Sequence, residues 1–445
     1  MKKTILALVF AMLVGLSSCL EFEHSYRVVA PGIWRGELTL HAGAPEIHRR
    51  RDAALSQRAE RGDIVLPFLF EVFNPAPDSV YIEIINGKER IPVREVSHRQ
   101  NPETKRQVLS LHFPVYDTYI EAEVDGGKMD GFWYVPSRGN YKIPFSARLG
   151  KVHRFEDLRQ QPVMDISGLW QARFGSGDDG FEAVGVFQQE GNQVHGTFMT
   201  NTGDFRFLAG HIQGDRLALS TFDGSHAFLF EAKIRSVDST MTGAFYSGSH
   251  YQTTWEARKD PSARLDDPES QVRYDPNRPV RLRLPRPDGD TLDIENTDLA
   301  GRPKIIQIMG TWCPNCRDEG VFLAEYLRAH PDLPVEIFGV AFEKSGDPAK
   351  AFPRIKQYRR ALHAPYPIAF GGKAERKRIF EVFPQLDNFV AYPTMLFLDA
   401  QNRIVAVHTG FNGPATPAYT AFKTHFGDLV KKLTAGALKP QNSDK

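Results

Sequence analysis

The stretch KIIQIMGTWCPNC at residues 304–316 decides the fold of the C-terminal part of the chain and points to its chemistry. Lys304 to Met309 form an apolar run around one polar residue, Gln307, which predicts a buried strand. Two cysteines three positions apart then open a helical stretch. The unpaired N–H groups and the dipole at a helix N-terminus favour a thiolate at Cys313. We therefore expect Cys313 to attack a substrate disulfide and Cys316, one turn inside, to resolve the mixed disulfide.

Two neighbours of the cysteine pair complete this expectation. Trp312 is expected to cover the pair, and Pro314 suits the first turn of the helix. Beyond residue 330, strands and helices alternate, with strands predicted near 335–342, 366–370, 394–399 and 403–409. Helices are predicted near 349–362, 374–382 and 416–433.

Residues 279–437 are predicted to form the α/β domain. Within it, the segment from about Pro279 to Leu433 resembles the TlpA-like thioredoxin family, membrane-tethered thiol–disulfide oxidoreductases of the bacterial cell envelope. The matching residues are Ile305 to Ile308, Gly310 to Cys313, Cys316 with Glu319 three positions on, Tyr392-Pro393-Thr394, and Phe397-Leu398-Asp399. The resemblance implies a cis Pro393 packed against the disulfide and a Tyr392 backbone that pairs with the incoming substrate. It also implies that Glu319 lies near the cysteines, where a carboxyl can move protons or tune the pKa of a thiol. The alternative is an ordinary glutamate on a helix surface.

Two departures from the family pattern limit what the resemblance implies. Gln307 stands where thioredoxin itself has a buried aspartate, so that proton-transfer group is missing. The dipeptide between the cysteines is Pro314-Asn315, whereas many members place proline second. Because this dipeptide affects the redox potential, the sequence leaves reductant and oxidant open, and the family favours a reductant.

Composition narrows the class of protein. The chain has 445 residues, which predicts about three domains. Its net charge of +1 gives no electrostatic case for nucleic-acid binding. Three cysteines cannot build a disulfide scaffold, and no second Cys-x-x-Cys exists to complete a zinc site. The redox-active Cys313–Cys316 pair is therefore expected to work without a metal or other cofactor.

Residues 1–19 are predicted to be a lipoprotein signal peptide. Lys2 and Lys3 precede an apolar run from Ile5 to Leu16, which is too short to span a bilayer. The sequence Leu16-Ser17-Ser18-Cys19 resembles the bacterial lipobox, in which the cysteine is lipidated. The alternative is an ordinary signal peptide with a chance cysteine. Lipidation at Cys19 would place the protein in the cell envelope, on a periplasmic or outer-membrane surface.

Two β-rich segments, 20–150 and 165–260, precede the α/β domain. In the second, alternation and turn residues predict eight strands near 169–174, 184–189, 193–200, 205–213, 216–222, 226–235, 240–246 and 252–258, typical of an antiparallel barrel. Three landmarks recur in the same order in both segments, which indicates an internal duplication, with coincidence among β-rich sequences as the alternative. They are Gly32-Ile33-Trp34 with Gly168-Leu169-Trp170, 129–134 with 241–246, and 145–148 with 255–258. The first copy carries an insertion that includes the charged stretch from His48 to Asp63.

A Gly-x-Trp on the first strand and an arginine on the last also resemble lipocalin-like barrels. That resemblance predicts stacking of Arg148 on Trp34 and of Arg258 on Trp170. Such a barrel holds an apolar ligand or is filled by its own side chains. The scattered histidines 195, 211, 226 and 250 are interpreted as surface or core residues rather than as metal ligands. Residues 261–278 are interpreted as a linker.

The leading hypothesis is a lipid-anchored envelope thiol–disulfide oxidoreductase, with protein disulfide clients and an upstream membrane thiol donor as partners. One alternative is a binding lipoprotein with an incidental thioredoxin-like unit. Another is a thiol peroxidase, although Gln307 stands four residues before Thr311, where the peroxidase motif Pro-x-x-x-Thr-x-x-Cys has proline. The sequence does not indicate the oligomeric state.

Overall fold

The computed structural model describes residues 28–40, 64–76, 78–139, 141–155 and 160–439. Cys19 and the charged stretch 48–63 lie outside these residues. The described chain forms two antiparallel β-barrels followed by an α/β domain, as the sequence predicts. No helix in the described ranges has both the length and the apolar character that crossing a membrane requires.

The first barrel consists of nine antiparallel strands in the order β4-β3-β2-β1-β9-β8-β7-β6-β5, and its ring stays open between β4 and β5. The strands are β1 (Gly32–Leu40), β2 (Ile64–Ala76), β3 (Ser79–Asn86), β4 (Glu89–Val93), β5 (Glu95–Gln100), β6 (Gln107–Phe113), β7 (Thr118–Asp125), β8 (Lys128–Tyr134) and β9 (Lys142–Leu149). Buried and solvent-facing residues alternate along most strands, so one face of each strand forms the interior.

The second barrel closes through pairing of β11 with β12. Its strands are β10 (Gly168–Phe174), β11 (Phe181–Glu190), β12 (Gln193–Thr200), the two-residue β13 (Gly203–Asp204), β14 (Leu208–Gln213), β15 (Arg216–Phe222), β16 (Ala227–Arg235), β17 (Thr240–Ser247) and β18 (Tyr251–Lys259). Apart from β13, these are the eight strands that the sequence predicts.

The recurring landmarks occupy equivalent places in the two barrels. Trp34 and Trp170 are fully buried on the first strand of each, and each indole N–H donates to the carbonyl four residues earlier, at 3.0 Å and 2.8 Å. Gly131 and Gly243 lie on each penultimate strand, where a Cβ would come within 2.0 Å and 1.9 Å of a neighbouring-strand carbonyl. This agreement supports the interpretation of an internal duplication.

The predicted stacking of arginine on tryptophan is wrong in both barrels. The Cα partner of Trp34 on the last strand is Leu149, and that of Trp170 is Lys259. Arg148 and Arg258 are exposed, whereas Ala147 and Ala257 face the interior. Because successive strand residues point to opposite faces, a difference of one residue in register places both arginines outside.

Aromatic side chains fill the interior of the second barrel. Phe174, Phe198, Phe230 and Trp255 are buried, and their rings contact one another at centroid distances of 5.1–6.5 Å. Of the two interiors that the sequence allowed, the structure therefore shows the one filled by the barrel's own side chains.

The two barrels share a hydrophobic core across their contact. Phe222 points out of the second barrel and is fully buried among residues of the first. Its ring lies 4.5 Å from that of Phe68 and meets Trp133 edge-on at 5.2 Å. Asn86 supports the contact by donating a 2.9 Å hydrogen bond to the Phe222 carbonyl. The barrels therefore pack as one body.

The α/β domain has a five-stranded sheet in the order β23-β22-β21-β24-β25, in which β24 alone runs antiparallel to the other four strands. Its strands are β21 (Lys304–Met309), β22 (Glu336–Glu343), β23 (Ile368–Lys373), β24 (Thr394–Leu398) and β25 (Ile404–Thr409). Its helices are α1 (Pro314–Ala329), α2 (Pro348–Ala361), α3 (Arg376–Val382) and α4 (Ala418–Thr434). A hairpin, β19 (Arg283–Pro285) and β20 (Thr291–Asp293), precedes the sheet. This is the predicted thioredoxin-like plan.

The segment interpreted as a linker packs against this domain. Val272 and Tyr274 are buried in the same cluster as Ile306 and Phe338 of the sheet. The Asp275 N–H also donates to the Gln385 carbonyl at 2.8 Å. Val272, Tyr274 and Asp275 are therefore part of the packed α/β domain.

Candidate active site

The two cysteines lie at the start of α1 in unlike environments. Cys313 is the N-cap, and its Sγ accepts a 3.2 Å hydrogen bond from the Cys316 backbone N–H. Both are free thiols; Cys313 is 6% exposed and Cys316 is fully buried. Burial, followed by the hydrogen bond and charge of Cys313, raises the pKa of the Cys316 thiol. The arrangement fits an outer nucleophile and an inner resolving cysteine.

A loop before β24 lies against Cys313. The carbonyl oxygen of Tyr392 is 3.6 Å from the Cys313 Sγ, and the Tyr392–Pro393 peptide bond is cis, as the family resemblance implies. Thr394 holds this loop because its hydroxyl donates to the Ala391 carbonyl at 2.7 Å. The Gly410 N–H donates to the Pro393 carbonyl at 2.9 Å. All three residues of the predicted Tyr-Pro-Thr motif are thus beside the cysteine pair or support it.

Trp312 is fixed beside the pair from two directions. Its indole N–H donates to the Phe342 carbonyl at 3.0 Å, and its ring meets that of Tyr392 edge-on at 5.4 Å. Thr311, the preceding residue, is held by the buried carboxylate of Glu343, which accepts from its N–H at 2.9 Å and its hydroxyl at 2.8 Å. The segment before Cys313 is therefore rigidly placed by the end of β22.

Glu319 is buried behind Cys316, not on the helix surface. It is fully buried on α1, and its Oε2 accepts a 2.8 Å hydrogen bond from the Gln307 side chain. Burial raises the pKa of this carboxyl to about 8. Its other oxygen, Oε1, has no hydrogen-bond partner among the described residues. A carboxyl with this pKa can exchange a proton near neutral pH.

Sequence analysis missed three residues around this carboxyl and the cysteines. The Tyr358 hydroxyl donates to the Cys316 carbonyl at 2.9 Å, and the Tyr366 hydroxyl donates to Gln307 Oε1 at 3.4 Å. Glu343, the third, was detectable because it ends the apolar run Ile337–Phe342. The tyrosines gave no local signal, since their contacts depend on how α2 and β23 pack against α1.

Both barrels reach the active-site dipeptide and its surroundings. A Cβ at Gly203, on β13 of the second barrel, would come within 1.8 Å of the Asn315 side-chain nitrogen. Val115, between β6 and β7 of the first barrel, packs against the cluster that contains Cys313 and Cys316. The barrels therefore lie against Asn315 and against the core cluster that contains the two cysteines.

A buried arginine joins all three domains near α1. Arg206 of the second barrel pairs with Glu89 of the first barrel at 2.6 Å and with Asp223 of its own barrel at 3.1 Å. It also pairs with Asp318 on α1. Arg206 is 4% exposed, so these are largely desolvated ion pairs. They connect the barrels to the helix that carries Cys316.

Comparison with known proteins agrees with this geometry. Residues 274–421, about a third of the chain, match the Redoxin family. No curated protein matches the chain.

The chain is also similar to solved structures of thiol–disulfide oxidoreductases. One is a thioredoxin-family thiol:disulfide interchange protein from Chlorobium tepidum TLS, with 21% identity, 35% of this chain and 97% of that chain covered, and a TM-score of 0.28. Another is a thiol-disulfide oxidoreductase from Bacteroides fragilis, with 12% identity, coverage of 34% and 99%, and a TM-score of 0.26. A third is a secreted disulfide oxidoreductase from Mycobacterium tuberculosis, with 15% identity, coverage of 32% and 96%, and a TM-score of 0.25.

The Redoxin match, the sheet order and the cysteine pair define the C-terminal domain as a thioredoxin-like thiol–disulfide oxidoreductase domain.

Proposed function

We propose that this protein is a membrane-anchored oxidoreductase of the bacterial cell envelope that reduces disulfides in client proteins. The observation that carries the proposal is the Cys313–Cys316 pair, with the Cys313 Sγ at a helix N-terminus, 3.2 Å from the Cys316 N–H and 3.6 Å from the Tyr392 carbonyl. In this arrangement one sulfur can meet a substrate while the other stays protected.

The reaction consists of two thiol–disulfide exchanges. The Cys313 thiolate attacks one sulfur of the client disulfide, and the other client sulfur leaves as a thiolate that takes up a proton. The Cys316 thiolate then attacks the Cys313 sulfur and releases the second client thiol. The client gains two electrons and two protons, and the protein is left with a Cys313–Cys316 disulfide. A membrane dithiol donor is the class of reductant that returns it to the starting state.

The second exchange requires removal of a proton from a buried thiol whose pKa is raised. Two observations support Glu319 in this role: it is buried on the same helix, and its own pKa is about 8. We assign Glu319 as the group that takes the Cys316 proton when the mixed disulfide is resolved. Pro393 and the Tyr392 backbone are assigned to orient the client chain beside Cys313.

The proposed location depends on the N-terminal sequence, with Cys19 as the lipidated residue. Wild-type protein is expected to partition into the detergent phase of a Triton X-114 separation, and Cys19→Ala to lose the lipid. Recovery of soluble, unmodified wild-type protein would contradict the anchor without affecting the redox proposal.

Insulin reduction with dithiothreitol as donor tests the activity. Wild-type protein is expected to accelerate precipitation of the insulin B chain, and Cys313→Ser to abolish the acceleration. Cys316→Ser is expected to accumulate mixed disulfides with clients, which non-reducing electrophoresis and mass spectrometry identify. A Cys313→Ser protein as active as wild type would refute the proposal.

Two alternatives differ in what they require. A thiol peroxidase would consume peroxide at a rate that depends on Cys313, which a direct peroxide assay measures. A ligand-binding lipoprotein would need room inside a barrel, and the aromatic interior of the second barrel argues against this. We infer instead that the barrels position the redox domain and restrict which clients reach it.

A further inference from the structure

A cleft opens where the two barrels meet the redox domain. It has a volume of about 400 Å³, within the range of small-ligand sites. Its floor includes Trp312 and Pro314, the two residues that flank Cys313. The cleft lies outside the interiors of the barrels and is formed only because the three domains pack together.

Three cationic side chains line this cleft. Arg138 comes from the first barrel, and Lys344 and Arg354 come from the redox domain. The second barrel contributes His250, which is neutral because burial and the nearby Arg138 lower its pKa to about 3. We call Arg138, Lys344 and Arg354, with Trp312 and Pro314, the cationic cleft. Serine hydroxyls from both barrels add neutral donors at its wall; they are Ser137, Ser225 and Ser247.

The positive charge is only partly balanced within the protein. Arg354 pairs with Asp117 at 3.1 Å. Among the described residues, neither Arg138 nor Lys344 has an acidic group within 4.0 Å; the Lys344 ammonium instead lies 5.7 Å from the centre of the Trp312 ring. Partial desolvation lowers the pKa of Lys344, the charges of Arg138 and Arg354 lower it further, and the charge of Glu343 opposes this shift in part. These cations therefore repel one another, and a bound anion would relieve that repulsion.

The position of Lys344 is fixed by the active site itself. It follows Glu343, whose carboxylate holds Thr311 through two hydrogen bonds. Lys344 is thus tied to the segment that places Cys313. Other approaches to the cysteine are restricted, because Gly203 covers Asn315 and Val115 packs against the cysteine cluster.

We propose that the cationic cleft selects anionic disulfide substrates by binding a carboxylate close to the sulfur that Cys313 attacks. The substrate class is a disulfide whose cysteine is followed or preceded within a few atoms or residues by a carboxylate. A small disulfide such as glutathione disulfide and an acidic peptide segment of a client share this chemistry. The inference deepens the proposed function and depends on it.

The test compares two peptide disulfides of equal length that differ only in Asp and Glu against Asn and Gln around the cysteine. Full-length protein is reduced, freed of reductant and mixed with each peptide in single-turnover stopped flow. Wild type is expected to react with the acidic peptide about tenfold faster, since complementary charge raises association rates by about 10–10³-fold. The advantage should shrink as ionic strength rises from 0.01 M to 1 M.

Arg138→Gln and Lys344→Gln are each expected to reduce the acidic-to-neutral rate ratio severalfold, and together to bring it near one. The rate with the neutral peptide normalises each variant, so a general change in Cys313 reactivity cancels and the ratio reports the selectivity of the cleft. Lys377→Gln is the matched control, because it removes one exposed positive charge on α3, outside the cleft, and should leave the ratio unchanged. Glutathione disulfide, assayed in parallel, shows whether the carboxylate of a small molecule suffices or a peptide segment is required.

The outcomes distinguish a failure of the proposed redox function from a failure of the cleft to select substrates. If neither peptide reacts with wild type, the proposed function fails. If both react but the ratio is near one, or the ratio survives Arg138→Gln with Lys344→Gln, the cleft is not the selective element. If Lys377→Gln lowers the ratio as much as the cleft variants do, the selectivity comes from the net charge of the protein and the inference is overturned.

Discussion

Gln307 donates a 2.8 Å hydrogen bond to Glu319 on the buried side of Cys316, and the same amide nitrogen lies 3.3 Å from the Cys316 carbonyl. The family resemblance implied that Gln307 stands where thioredoxin has a buried aspartate. The structure therefore places a carboxyl near the resolving cysteine from α1 instead of from β21.

Glu319→Gln is expected to slow resolution of the mixed disulfide. The amide keeps the shape and can still contact Gln307, but it cannot accept the Cys316 proton. A positioned base contributes about 10²–10⁴-fold, so a loss of at least about tenfold is expected at pH 7. Rapid quench with a trapped peptide disulfide measures this step separately from the first attack by Cys313.

The first attack by Cys313 serves as the internal control of that experiment and should keep its rate. Glu325→Gln is the matched variant, because it makes the same change at an exposed position on α1. Equal resolution rates in wild type and Glu319→Gln would assign Glu319 a structural role only.

The buried carboxyl also predicts how stability depends on pH. Its folded-state pKa of about 8 lies above the ordinary value of 4.5, so the folded state holds the proton more tightly. Stability from this group is therefore present below pH 4.5 and is lost as pH rises towards 8. The slope approaches about 1.4 kcal/mol per pH unit within that window. Glu319→Gln should lack this component, so urea midpoints of variant and wild type should converge at low pH and diverge at pH 8, with the variant more stable.

The helical spacing around Cys316 indicates the burial of Glu319, which the family motif alone does not. Cys316, Glu319, Gly320 and Leu323 follow the i, i+3, i+4, i+7 spacing of one helix face, and all four are buried. Because Cys316 is buried on that face of the helix, a glutamate on the same face is buried as well. The apolar periodicity similarly predicted the sheet and helices of the redox domain and the eight strands of the second barrel.

The contacts between domains could not be predicted in this way. Phe222 and Arg206 lie on strands or turns whose local pattern indicates no partner, because their partners in the other domains are 89 or more positions away. The prediction that Arg258 stacks on Trp170 is wrong for a related reason. The register of the last strand determines which face its arginine takes, and no local sequence signal sets that register.

Arg206→Ala is expected to destabilise the assembly of the three domains. Removing the guanidinium leaves Glu89, Asp223 and Asp318 without their shared partner in a mostly buried site. Breaking a buried ion pair on one side costs about 3–5 kcal/mol. Thermal unfolding should show a lower Tm, and limited proteolysis should cut sooner between the barrels and the redox domain.

Arg173→Ala is the control for that change. Arg173 pairs with Glu182 on the surface of the second barrel, where both side chains are at least 39% exposed. Surface pairs contribute about 0–1 kcal/mol, so its Tm should stay close to wild type. Similar losses in the two variants would mean that Arg206 does not join the domains.

Phe222→Ala tests whether the two barrels fold as one body. The ring is fully buried in the core of the first barrel although it belongs to the second, with Phe68, Phe113 and Trp133 around it. Its removal leaves a cavity at the contact and should cost about 3–5 kcal/mol. If the barrels unfold together, calorimetry should show a single barrel transition that the variant shifts to lower temperature. If they unfold independently, the variant should show two separate barrel transitions.

Arg258→Ala, a change at an exposed position, should leave the stability of the barrels within about 0.5 kcal/mol of wild type. A Phe222→Ala protein as stable as Arg258→Ala would show that the contact between the barrels does not stabilise them.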